Sequence, residues 1–159
     1  MLDRLFPKAI DNTYRGHPLG LWLFVPIVLI KLLMGANSLI STRHVAMSAD
    51  GIPLDSYGAA GAAQVLSLFA LLGLYLMVLP VLSLIALIRY RAMIPLLYLA
   101  ILSVQLATRA MAMADATQSG PHPIGFYVNL GLLAAMVIGL LLSLAGDRHP
   151  KPALTSPAR

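Results

Sequence analysis

The sequence predicts an all-α membrane protein, a four-transmembrane-helix antiparallel bundle with both termini in the cytoplasm. Three observations predict it. Hydrophobic residues make up 59% of the 159 positions and charged residues 11%, against about 45–50% and 25% in an ordinary soluble domain. So little polar surface cannot cover that much apolar side chain in water, whereas lipid covers it. Four apolar stretches are each long enough to cross a hydrocarbon core of about 30 Å, which takes about 20 helical residues. Lysine and arginine are divided unequally between the connections.

The elements follow in order. Residues 1–17 form a cytoplasmic or interfacial arm. It places Leu2, Leu5, Phe6 and Ile10 beside Arg4 and Lys8, a pattern that either rests on anionic headgroups or serves as a solvated flank fixing topology. The spanning domain is 18–146, with helices at about 18–40, 58–88, 95–114 and 123–145. Gly16, His17 and Pro18 start the first helix, since proline is tolerated in a first turn. Its apolar run exceeds that of a signal peptide, and Met34 spoils a small-x-small cleavage site ending at Ala36, so it reads as a retained anchor. The second helix is charge-free and longer than a bilayer needs, which predicts tilt or protrusion. Arg89, Tyr90 and Arg91 leave room only for a tight helical hairpin before the third helix. Gly120, Pro121, His122 and Pro123 lead into the fourth, and Gly146 and Pro150 end it. Residues 147–159 read as a disordered cytoplasmic tail.

Orientation follows from the basic residues in short connections. Arg4, Lys8, Arg15, Arg89, Arg91, Arg148, Lys151 and Arg159 fall on one side, and Arg43 alone on the other, with Asp50, Asp55 and Asp115. The first side is therefore cytoplasmic. Tyr14, Trp22 and Tyr90 fit the inner aromatic belt, and Tyr57, Phe126 and Tyr127 the outer one.

Several functions are excluded or weakened. The chain has no cysteine, which removes thiol chemistry and thiolate metal sites. Its net charge of +5 is spread over helix flanks without a basic patch, so nucleic acid is not an expected partner. No serine, histidine and acid set and no phosphate loop is present. Neither catalytic residues, cofactor nor metal is predicted. His17 and His149 flank one side and His44 and His122 the other, so no facing core imidazoles await haem. Glutamate is absent, unlike small four-helix multidrug exporters and four-helix glutathione-using enzymes, whose sites carry one.

Lys31 is the leading candidate residue, because an ionisable group inside a membrane helix is a functional hypothesis by default. It costs about 2.5–3.5 kcal/mol to insert, and thirteen Leu, Ile, Phe and Val residues between Leu19 and Ile40 offset it at about 0.3–0.6 each. Gly35 and Ser38 share its helix face. The third helix has Tyr98, Gln105, Arg109 and Ala112 on one stripe, the second offers Gln64, Ser67 and Tyr75, and the fourth offers Asn129. The predicted candidate ligand site is an outer-half polar cluster of Lys31, Gln105, Arg109 and Asn129; the competing reading is that each merely fixes packing. Charge balance keeps the ligand reading in play, since two cations and no acid enter the membrane zone. Either Lys31 is neutral, or an anion reaches it from Asp50, Asp55, Asp115, a lipid, a partner or a ligand.

The connection at 41–57 carries Asp50, Gly51, Pro53 and Asp55, a turn-rich set that either caps the outer opening or stays flexible. In the fourth helix Gly131, Ala135, Gly139 and Ser143 recur every four residues, a helix-packing stripe within the bundle or at a dimer face.

The segments Asp50, Gly51, Ile52, Pro53, Leu54, Asp55 and Gly125, Phe126, Tyr127, Val128, Asn129, Leu130 resemble those of small uncharacterised bacterial four-helix inner-membrane proteins. The resemblance implies the bacterial inner (plasma) membrane and a four-helix layout, and no activity. The expectation is a non-enzymatic accessory or interaction subunit, with the lipid bilayer and a membrane-protein partner or second copy around it. The alternative is a small binding or transport module for an anionic lipid, quinone-like or carboxylate ligand.

Overall fold

A computed structural model of the chain describes residues 5–7, 9–114 and 124–145. The tail at 147–159, Gly146, the connection holding Asp115 and His122, and Leu2, Arg4 and Lys8 lie outside the described residues. Among the described residues there is no strand, and four helices are long and apolar enough to cross a membrane. They are α1 (Pro18–Ile40), α2 (Ala59–Arg89), α3 (Ile94–Ala114) and α4 (Ile124–Leu144).

Local chemistry sets the ends. The His17 ring nitrogen Nδ1 accepts from the Leu19 amide at 3.2 Å, and Pro18 opens α1 where its missing N–H costs nothing. Pro26 and Pro80 lie inside α1 and α2, each removing one intrahelical bond. A single 3₁₀ turn, Arg91–Met93, joins α2 to α3.

Helix α1 organises the bundle, with its largest interface against α2 and its next against α4, while α3 packs on α4. The His17 amide donates to Leu142 O at 3.1 Å, so the start of α1 lies beside the end of α4. The core runs through Phe24, Ile27 and Val28 of α1, Tyr98 and Ile101 of α3, and Leu132 and Met136 of α4. Tyr98 is fully buried, packs its ring at a tilt against Phe24 with centroids 4.6 Å apart, and donates to Gly20 O at 2.8 Å. Large apolar side chains such as Leu33, Ile88 and Leu141 face outward, as they do where the surrounding solvent is hydrocarbon.

The connection between α1 and α2 is folded, and the flexible-loop reading is set aside. A helical turn at Thr42–His44 runs into a π-helical turn, Val45–Ala49, and a 3₁₀ turn follows at Leu54–Ser56. Ala46 and Leu54 are almost wholly buried, and burial of apolar side chains is what holds such a segment down. Gly51 has φ 69°, the left-handed conformation that glycine adopts without a Cβ penalty.

The second helix corrects the sequence reading. Gln64 and Ser67 are exposed and Tyr75 is 66% exposed, so none of these three reaches the interior, and the polar side chain that α2 buries is Ser83. Its buried residues are Gly73, Pro80, Ser83 and Ala86. At about 100° per residue Gln64 lies half a turn away from Gly73, and Ser67 and Tyr75 fall on that same far side. The arm also departs from a free flank: the Ala92 amide donates to Asp11 O at 3.2 Å, and the Tyr14 ring packs against the core.

Candidate functional site

Three helices bring Lys31, Gln105 and Asn129 together. The Lys31 ammonium donates to Gln105 Oε1 at 2.5 Å and to Asn129 Oδ1 at 3.4 Å. Gln105 Nε2 donates to Asn129 Oδ1 at 3.2 Å and to Asn129 O at 3.4 Å. Asn129 Nδ2 in turn donates to Gly125 O at 2.9 Å. Lysine has donors only, so both amide oxygens turn toward it and both amide nitrogens are left to donate elsewhere. Gln105 is buried and Lys31 half-buried.

Arg109 stands one turn beyond Gln105 on α3. Its Nη2 donates to Phe126 O at 3.1 Å, and its guanidinium carbon lies 3.9 Å from the centre of the Phe126 ring. A cation over a ring face is attracted by the ring quadrupole, so Arg109 is held by a carbonyl and an aromatic face.

Among the described residues no carboxylate pairs with either cation. Asp55 is engaged by Arg43 at 2.8 Å and Asp11 by Arg15 at 3.1 Å. Desolvation pushes the Asp50 carboxyl above its ordinary range, as expected where it lies against the start of α4. Asp115, the remaining candidate from the connections, is outside the described residues.

The α1–α2 connection closes over the start of α4. A Cβ built on Gly125 would lie 2.6 Å from Ala49 O, and that carbonyl belongs to the π turn, whose bond from the Asp50 amide to Val45 O is 3.2 Å. Gly125→Ala is expected to lift this segment. Limited proteolysis in detergent should then cut within residues 41–57 several-fold faster, with the four helices intact.

The α4 stripe divides. Gly139 lies under Tyr98 and Ser143 is fully buried beside Gly16 and Gly20, while Ala135 is half-buried. Among the described residues nothing lies within 4 Å of a Cβ added at Gly131, so it makes no close contact with them. Sequence reasoning missed the close helix contacts at Gly73 and Gly20 and the packing of Tyr14 against the core. A glycine midway along a charge-free apolar helix was the available signal for Gly73.

Shallow surface depressions lie over Arg43, His44, Met47 and Ser48 and over Ile30, Leu33, Met34 and Asn37. Neither is lined by the Lys31 cluster. Among the described residues no group of three His, Cys, Asp or Glu side chains is placed to hold a metal.

Four long apolar helices around one polar cluster fit the class of multi-pass α-helical membrane proteins. No protein-family model, characterised relative or solved structure matches the chain.

Proposed function

We propose that the chain is a non-enzymatic accessory or interaction subunit of the bacterial inner membrane, an antiparallel four-helix bundle with both termini cytoplasmic. The observation that carries this reading is the bonding of Lys31 to Gln105 and Asn129, which ties α1, α3 and α4 to one another. Interhelical polar bonds of this kind fix which helices associate and in what register. A cluster that satisfies itself suits a scaffold presented to lipid and to other membrane helices.

A second reading has its own support. Lys31 and Arg109 bring two cations to one polar seam with no carboxylate among the described residues, which favours an anionic lipid headgroup or a carboxylate ligand. The two readings separate on purification in mild detergent followed by native mass spectrometry. The subunit reading expects a retained membrane polypeptide and a melting temperature indifferent to added anions. A bound small anion, with stabilisation lost in Lys31→Met, would overturn it in favour of the second.

Orientation is tested by reporter fusions. Fusions in the turn at Arg89 to Arg91 are expected to report cytoplasmic placement, and those in the 41–57 connection the opposite side. A periplasmic signal from the turn would reverse the assignment.

A further inference from the structure

We infer that the corner of the bundle where the N-terminal arm meets the Arg89–Arg91 turn binds the phosphate of an anionic phospholipid. The inference goes beyond the interaction-subunit reading and concerns a different place from the Lys31 cluster, since Lys31 stands about 20 Å along α1 from Pro18.

The first ground is charge that has no counter-charge. The bond from the Ala92 amide to Asp11 O lays the arm against the turn, so Arg15 and the two arginines of the turn share one corner. Asp11 is the carboxylate described there, and Arg15 takes it at 3.1 Å. Arg89 and Arg91 are exposed, and no carboxylate among the described residues pairs with either. At the 41–57 connection, by contrast, Arg43 has its own partner in Asp55 at 2.8 Å. Arg89 is also the one charged residue of α2 and stands at its end. It marks where the apolar span gives out, which is the depth of the headgroup phosphates.

The second ground is how Arg91 is held. Its Nε donates to Leu87 O at 2.9 Å, which satisfies an open carbonyl at the end of α2 and fixes the guanidinium on its stem. The two terminal Nη groups are left to donate elsewhere. A planar fork so placed matches two oxygens of a phosphate, with more geometric specificity than a lysine ammonium gives.

The apolar neighbours select a lipid over a free anion. Ile88 precedes Arg89 and is 75% exposed, and Ile10 precedes Asp11 and is 58% exposed, so both segments of the corner set an outward apolar side chain beside their charges. Trp22, exposed on the second turn of α1, is an aromatic of the interface kind. Cations and apolar side chains side by side match a phosphate ester joined to acyl chains. Inorganic phosphate or an acidic peptide would use the charge alone. Of the two readings of the arm open from sequence, the corner supports the one in which it rests on anionic headgroups.

The test titrates the full chain, purified in mild detergent, with phosphatidylglycerol or phosphatidylcholine and counts lipid adducts by native mass spectrometry. Phosphatidylglycerol is expected to give several-fold more adduct, and inorganic phosphate should not displace it. Arg89→Gln with Arg91→Gln should bring the phosphatidylglycerol adducts down to the phosphatidylcholine level. Both side chains are exposed, so the melting transition in detergent alone should stay that of the unaltered chain. Arg91→Lys keeps the charge and loses the fork, and several-fold fewer adducts are expected from it as well. Lys31→Met and Arg43→Gln should leave the adducts unchanged. Equal adducts with the two lipids, adducts undiminished in the arginine variants, or displacement by inorganic phosphate overturns the inference. Adducts lost in Lys31→Met instead would overturn it in favour of the anionic-ligand reading, whereas a failure to find any membrane-protein partner sinks the interaction-subunit reading and leaves this one standing.

Discussion

Gly73→Leu is expected to separate α1 from α2 and to leave a chain that no longer purifies as a folded species. A Cβ at Gly73 would lie 2.9 Å from Leu39 N, 3.0 Å from Gly35 O and 3.1 Å from the Ser38 carbonyl carbon. All three are backbone atoms of a helix, so no rotamer change makes room and the helices themselves must part. Overpacking a fitted core costs about 1–3 kcal/mol for added methylenes and occasionally more, and here the insertion falls on the largest helix interface. The expected readout is a loss of the main melting transition, with Gly73→Ala lowering it by a smaller amount. Gly35→Ala should be milder still, because its nearest neighbour is the flexible Met77 side chain at 2.8 Å. Gly131→Ala supplies the control: nothing lies within 4 Å of its added Cβ, and replacing a helical glycine carries no packing loss. Equal melting temperatures for Gly73→Leu and Gly131→Ala would show that α1 and α2 do not meet as described.

The four helices were legible because span length and apolar content are properties of the chain read one stretch at a time. The cluster was legible for a related reason. Lys31, Gln105 and Asn129 are costly in hydrocarbon, and such groups find one another. What could not be read is which face of each helix turns inward when nearly all faces are apolar. On α2 the polar residues Gln64 and Tyr75 drew the eye to the wrong side, because in lipid the buried face is chosen by small residues that let backbones approach, here Gly73 against Gly35. The connection at 41–57 was undecided for another reason. Its turn-forming residues are equally compatible with a loose loop, and only the burial of Ala46 and Leu54 against the helix ends chooses between them. In sequence Tyr14 has the features of an interface aromatic, but the hydrogen bond from the Ala92 amide to Asp11 O draws the arm onto the bundle, a contact between segments distant in sequence.

Gln105→Leu is expected to destabilise the bundle more than Lys31→Met, although lysine is the charged member of the pair. Removing Gln105 leaves the ammonium with Asn129 Oδ1 at 3.4 Å, a weak bond for a charge withdrawn from water. Leaving a buried donor without its partner costs about 1–3 kcal/mol, and more when the donor is charged. Lys31 is only half-buried, and interhelical bonds in membranes average about 0.6 kcal/mol, so a loss of about 2 kcal/mol is expected. Lys31→Met removes the charge with its need. Gln105 Nε2 still donates to Asn129 Oδ1 at 3.2 Å, methionine fills the space, and the change should stay below about 1 kcal/mol. The double variant tests the logic, because the charge that suffers in Gln105→Leu is absent from it. Lys31→Met with Gln105→Leu should be more stable than Gln105→Leu alone, a non-additive outcome expected of directly bonded side chains. The reverse order, with Lys31→Met the more damaging and the double variant worse than either, would mean that the ammonium binds something besides these two amides, and the anionic-ligand reading would then replace the scaffold.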